Sequence, residues 1–409
     1  MKNLTKTYQA QLDAIDAQHD DLVKTLIDWA HINSGSYNIA GVNAYREVVQ
    51  AAFAELTDDN DQVEVVSLPT FDVVNDAGEV VEQHVADGLI IRKRPECQKR
   101  VLLCAHLDTV FPKDHHFQRC QYLDDNTLNG PGVADIKGGI LLMLTALKAL
   151  ESHAVAKNIG WDVFLVPDEE IGSLSSNTLY PQFAGNTFGM IYEPSPATGE
   201  FVGERKGSGN FSIVVKGRAS HAGRAFYDGR NAIAKLARIV ADMHDLNDPA
   251  HSTTLNIGTI SGGQALNVVP ELAIAKFNIR VASDEDASDI LAKVDAILDN
   301  YREDDYEIFR HGKLSRPAKP MDAAQQQLFA VLKDIHAQLG LPTEIIATGG
   351  CCDGNNFKAL GVPNIDTLGV RGGMIHSDQE FVLLDSLTER AKLSALLLLA
   401  FADGSIALG

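Results

Sequence analysis

Three short runs in this chain are apolar at every position, and each stops at a histidine or an acid. Val101-Leu102-Leu103-Cys104-Ala105 runs into His106, Val163-Phe164-Leu165-Val166 into Pro167 and Asp168, and Met190-Ile191-Tyr192 into Glu193. Runs this short and this uniformly apolar read as strands buried on both faces. Between the first two, Gly139 to Leu150 places Ile140, Leu141, Leu144, Leu147 and Leu150 on one side of a helix. This β-α-β rhythm predicts an α/β fold, a mixed sheet flanked by helices on both faces. Open sheets of this kind bind ligands beyond the carboxyl ends of their strands. The positions of these polar residues, and not only their types, therefore carry information.

The rest of the chain organises around that core. Leu12, Ile15, Leu22, Leu26 and Trp29 share one face of a helix predicted from about Leu4 to His31. After Glu193 the order changes. Strands are predicted at Phe211 to Val215, Thr254 to Ile260 and Ala273 to Val281, with helices at Asn231 to Leu246 and Ala287 to Tyr301. That is an α+β order whose strands can pair antiparallel. Gly312 to Pro320, rich in Lys, Arg and Pro, reads as a linker. Beyond it the α/β rhythm resumes, with helices at Ala323 to Leu339 and Leu384 to Phe401 and strands at Ile345 to Ala347 and Asn364 to Leu368. A chain of 409 residues exceeds the size at which one core usually keeps growing. We therefore expect a larger α/β domain from 1–205 and 316–409, interrupted by an α+β domain at 206–315.

Charge and cysteine content exclude several classes. There are 55 acidic residues against 35 basic ones, a net charge of -20. A nucleic-acid partner needs a basic footprint, which is lacking. No apolar run of about 18 residues appears, so no transmembrane helix is expected. The opening residues carry no apolar signal segment, which predicts a cytoplasmic chain. The five cysteines form no CxxC pair and suit free thiols in a reducing compartment. Cys351-Cys352 in a Gly-rich loop reads as small residues in a tight turn, with a functional role open.

Five segments bear candidate chemistry. In Ala105-His106-Leu107-Asp108-Thr109-Val110, His106 and Asp108 stand two apart at a strand end and can share one side. A ligating histidine commonly donates its second N–H to a carboxylate, a part Asp108 could take. Alone, the pair reads better as surface residues flanking a strand. In Asn129-Gly130-Pro131-Gly132-Val133-Ala134-Asp135-Ile136-Lys137-Gly138-Gly139, Asp135 stands just before a helix and by itself reads as an N-cap. Asp168-Glu169-Glu170 is either a solvated acidic turn or a cluster neutralised by cations, with one carboxylate as ligand and its neighbour as general base. Glu193 leaves a strand in Tyr192-Glu193-Pro194-Ser195, and His376 stands in Gly372-Gly373-Met374-Ile375-His376-Ser377-Asp378-Gln379-Glu380. Imidazole and carboxylate together suit zinc, with cobalt or manganese possible.

Taken together and in this order, the HLDTV, GPGVADIKGG, DEEIGS, EPS and IHSD segments resemble the M20 family of metallopeptidases and deacylases over nearly the whole chain. This superfamily includes glutamate carboxypeptidases, acetylornithine deacetylases and succinyl-diaminopimelate desuccinylases. Ile32-Asn33-Ser34-Gly35-Ser36 looks particularly like the glutamate carboxypeptidase branch. The resemblance implies a zinc-peptidase-like catalytic domain with an inserted dimerisation (lid) domain. It implies two divalent ions, His106 and Glu193 binding one, Glu170 and His376 the other, and Asp135 bridging them. Asp108 would orient His106, and Glu169 would be the general base. A cis peptide would follow Asp135. His221, in Ala219-Ser220-His221-Ala222-Gly223, would reach the active site of a partner subunit in a homodimer. Asn267 and Arg280 would grip the substrate carboxylate. Read locally, His221 is a turn residue and the Asn267–Arg280 pair is a surface feature. Arg205, Lys206 and the Gly349–Cys352 loop are further candidates for a pocket lining, and His115 and His116 read as surface residues.

The function this implies is cleavage of an amide bond next to a free carboxylate in a small peptide or N-acyl amino acid, as in a carboxypeptidase releasing a C-terminal residue such as glutamate. An N-acyl amino acid deacylase or desuccinylase keeps the chemistry and changes the substrate. A catalytically silent binding protein on this scaffold is the alternative of a different class, and the intact residue set including Glu169 argues against it.

Overall fold

A computed structural model describes residues 3–408. Its main sheet has six strands in the order Gln62–Val66, Gly88–Lys93, Gly160–Val166, Arg100–His106, Phe188–Ile191 and Asn364–Ile365. The first two neighbouring pairs are antiparallel and the remaining three parallel. The uniformly apolar runs are its central strands. Their side chains alternate between two cores, as strand geometry requires. Val101, Leu103 and Ala105 face one core with Val163 and Leu165, while Leu102 and Cys104 face the other with Phe164 and Val166. Helices Gly138–Glu151 and Asp385–Ala402 pack together over the first face. The second face is closed by Tyr180 and Phe183, whose rings meet Phe164, and by Phe357, whose ring meets both of theirs.

A second sheet of four antiparallel strands runs in the order Thr254–Gly262, Leu272–Val281, Gly207–Lys216 and Glu307–Arg316. Helices Ala232–His244 and Asp284–Asn300 cover one face and share a separate core with it, including Ile213, Leu236, Ile239, Phe277 and Ile290. Both helices begin where a polar side chain accepts a first-turn N–H, Asn231 from Ala234 and Ser283 from Asp286. On the other face, Val74 meets Val214 and Ile274. It belongs to a hairpin, Phe71–Val74 with Val80–Gln83, contributed by the N-terminal part of the chain.

Two local expectations are corrected. Glu307–Arg316 is an edge strand paired with Gly207–Lys216 along its length, so the segment read as a linker is half sheet. Its Arg316 and Lys319 are buried because carboxylates wait for them, Glu169 and Asp353 for Arg316 and Asp366 for Lys319. The N-terminal helix is three segments, Leu4–Thr7, Gln9–Asp16 and His19–Ala30. Each keeps its own apolar stripe on the core, so periodicity alone passes over the breaks at Tyr8 and Ala17–Gln18.

Candidate active site

The strand Arg100–His106 delivers His106 fully buried to the carboxyl end of the main sheet. Its Nε2 lies 3.1 Å from Asp135 Oδ1 and 3.9 Å from Glu193 Oε2. Its Nδ1 lies 2.9 Å from the backbone carbonyl of Asp108 and 3.5 Å from the Asp108 carboxylate. The main chain of Asp108 is therefore the nearer partner. The Asp108 carboxylate does more elsewhere: it accepts the backbone N–H groups of Glu169 and Glu170 at 3.1 and 3.2 Å and the Ser36 hydroxyl at 2.7 Å. It thereby presents the two-glutamate turn.

Asp135 lies in the turn after Gly132, whose φ of 71° favours glycine, and the Asp135–Ile136 peptide is cis. Helix Gly138–Glu151 starts beyond it with no side-chain cap, so Asp135 does not cap it. Instead its two oxygens face two histidines. Oδ1 meets His106, and Oδ2 lies 3.3 Å from His376 Nε2. His376 has a φ of 64° and comes from the loop between strands Arg371–Gly373 and Phe381–Leu383; its Nε2 is also 3.2 Å from Glu170 Oε2. Glu380, at the end of that loop, is buried and accepts the backbone N–H groups of Gly132, Ala134 and Asp135.

The three acids of the turn divide their work. Asp168 points inward and accepts the N–H groups of Ser175 and Ser176 and the Ser176 hydroxyl. Glu170 joins the cluster. Glu169 is gripped by Arg316, whose Nη1 donates to Oε1 at 2.8 Å.

The electrostatics of this centre call for cations. Burial, then the charge of Asp135, pushes Glu170 up to about 8; burial, countered by Arg316, leaves Glu169 at about 7. Burial, then Glu169, drives Glu193 well up. Burial opposes charge on Asp135 too, but hydrogen bonds from His106 and His376 hold it well below the usual carboxylate range. Hydrogen bonds to Asp135 and Glu170 lift His376 to about 10, and burial of His106 is outweighed by its bonds to Asp108 and Asp135. Among the described residues, buried Glu170 Oε1 has no hydrogen-bond partner. Ligand atoms of His106, Asp135 and Glu170 lie within 4.8 Å of one another. Such a donor set fits divalent metal.

Among the described residues, the remaining candidates from the sequence make their hydrogen bonds outside this cluster, although the charge of Arg205 is felt at Glu193. His221 is exposed on a short strand paired with Val268–Val269, and its Nδ1 accepts the Gly223 N–H. Asn267 adjoins it, its carbonyl accepting from Ala222. Arg280 donates to Asn278, to the Gly349 carbonyl and to Cys351 Sγ, joining the inserted sheet to the Gly349–Cys352 loop. Arg205 is buried against Asp366, and Lys206 donates to the Ser252 carbonyl. His115 is half-buried, and His116 is exposed beside Asp378. Sequence reasoning passed over Arg316 and Glu380. Glu380 closes the segment that carries His376, and that proximity was the available signal; Arg316 was masked by the composition of its segment.

Residues 203–305 match the peptidase dimerisation domain of the M20 peptidases. Carboxypeptidase G2 of Pseudomonas sp. (strain RS-16) is 26% identical over 327 residues, 78% of each chain. Succinyl-diaminopimelate desuccinylase of Psychrobacter arcticus is 28% identical over 288 residues, 66% of this chain and 69% of that protein. Among solved structures, the Bacillus subtilis YXEP protein, described as a dinuclear metal binding peptidase, superposes with a TM-score of 0.61 at 16% identity, covering 95% of this chain and 99% of that one.

Proposed function

We propose that this M20-family hydrolase of amide bonds is a dinuclear zinc carboxypeptidase that releases a C-terminal amino acid, such as glutamate, from a small peptide or N-acyl conjugate. The observation that carries the reading is the division of Asp135, one oxygen toward His106 and the other toward His376. A carboxylate so placed suits a bridge between two ions. His106 and Glu193 would hold one, Glu170 and His376 the other. When bound, such ions supply Lewis acidity and make a water acidic near neutral pH.

The chain's own residues supply the rest. Glu169 takes the proton of the attacking water and hands it to the leaving nitrogen. Asp108 holds His106 through its carbonyl and the Glu169–Glu170 turn through its carboxylate. Arg280 suits a bidentate contact with the substrate carboxylate, and Asn267 would share that contact. His221 is exposed and, among the described residues, its ring bonds only the Gly223 N–H, which favours delivery in trans within a homodimer to stabilise the developing oxyanion. All five cysteines are free, in keeping with a cytoplasmic setting. Among the described residues no helix is long and apolar enough to cross a membrane.

The similarity to a desuccinylase favours a second reading with the same chemistry, N-acyl amino acid deacylation. One assay separates them. Metal-stripped protein refilled with zinc is offered N-acyl glutamate, Xaa-Glu dipeptides, N-acetyl-ornithine and N-succinyl-diaminopimelate. Metal-restored cleavage of the glutamate compounds supports the carboxypeptidase; cleavage of only the last two selects the deacylase. No cleavage of any compound by protein holding two ions overturns both.

A further inference from the structure

We infer that Arg316 is the positioning residue of Glu169, and that it ties the direction of that carboxylate to the strand connecting the two parts of the fold. The inference rests on reading Glu169 as the general base. One guanidinium holds both ends of that residue: Nη1 donates to Glu169 Oε1 at 2.8 Å and Nη2 to the Glu169 backbone carbonyl at 2.8 Å. Asp108 takes the Glu169 N–H. Main chain and side chain are thus fixed relative to each other. Among the described residues, Oε2 makes no hydrogen bond and is left to receive a proton.

Arg316 is itself held. It is almost fully buried, Nη2 donates to the Ser173 hydroxyl at 2.9 Å, and Asp353 Oδ1 lies 3.5 Å away. Ser173 donates in turn to Asp353 at 2.5 Å and has a φ of 52°, a left-handed backbone that a serine keeps only where its surroundings enforce it. A planar fork making several simultaneous bonds is a geometry lysine cannot copy. Arg316 is also the last residue of the edge strand Glu307–Arg316, through which the chain leaves the inserted sheet. A displacement of that sheet would carry the guanidinium away from the turn.

The test uses full-length, zinc-loaded R316A, R316K and E169Q. For R316A we expect kcat to fall on the order of 10²-fold with KM within about threefold, because misplacing a catalytic group by about an ångström costs that much. Added guanidinium ion should restore part of the rate. R316K keeps the buried charge, and its kcat should fall between native and R316A, so a folding defect of the alanine variant leaves a test standing. Crystal structures of the same variants need no substrate. Glu169 should leave its native rotamer in R316A. An unchanged Glu169 rotamer, or a kcat within threefold of native while E169Q is inactive, overturns the inference alone. Full activity of E169Q removes the reading on which it rests.

Discussion

Glu380 accepts the backbone N–H of Asp135 at 3.0 Å, with the same carboxylate serving Gly132 and Ala134. The turn that aims Asp135 is thus held from the loop that also carries His376. Glu380→Ala would leave three buried N–H groups unpaired, a cost on the order of 3 kcal/mol or more. We expect a lower melting temperature and a metal affinity reduced about 10- to 100-fold, as for other supports of ligating residues. Competition against a zinc chelator measures the second effect. Native affinity in the variant would show that the turn holds its shape without Glu380.

Glu169→Gln should retain both ions, because Glu169 is not among the proposed ligands, and should lose about 10²- to 10⁴-fold in kcat. Metal analysis and steady-state kinetics on one preparation check this. Loss of an ion in the variant would instead make Glu169 a ligand.

Trans delivery of His221 is open to complementation. Chains carrying only His221→Ala or only Glu169→Gln should each be nearly inactive. Mixed dimers pair the Glu169 of one chain with the His221 of the other and rebuild one site. Equal, freely exchanging chains should recover about a quarter of native activity, since half the dimers are mixed and one site in each is intact. A mixture no more active than its parents would place His221 in cis or outside the reaction.

His336 offers a prediction remote from the site. Burial, then the charge of Arg390, lowers it to about 4 from an ordinary 6.5. The ring packs edge-on against Phe201 and meets the Thr343 hydroxyl. The unfolded chain binds this proton first as pH falls, so the folded state loses stability between about pH 6.5 and 4, and keeps it in full above 6.5. The loss is roughly 3 kcal/mol at about 1.36 kcal/mol per unit. His336→Gln, which cannot charge, should flatten that limb in urea titrations across pH. An identical limb in both proteins would assign it to other groups.

The sequence was most readable where a residue's neighbours in the chain are its neighbours in space. His106, Glu169, Glu170 and Glu193 each follow a strand or turn whose pattern is local, and the structure gathers them at one sheet end. Asp135 was ambiguous for the same reason: next to a helix start it reads as a cap, and only the distant His376 tells otherwise. Arg316 was hidden because its partners come from the Asp168–Ser173 turn and from Asp353, far away in sequence. The hairpin of Phe71–Val74 and Val80–Gln83 was missed because its inward contact is Val74 on a sheet formed much later in the chain. What remained out of reach in each case was a long-range polar or packing partner.

The most direct measurement is anomalous diffraction from crystals of zinc-loaded protein, collected on both sides of the zinc edge. Two peaks are expected about 3.5–4 Å apart, one beside His106 and Glu193, the other beside Glu170 and His376, with Asp135 touching both, and neither peak in Asp135→Ala. A single peak, or two that Asp135 does not join, would rule out a dinuclear centre bridged by Asp135.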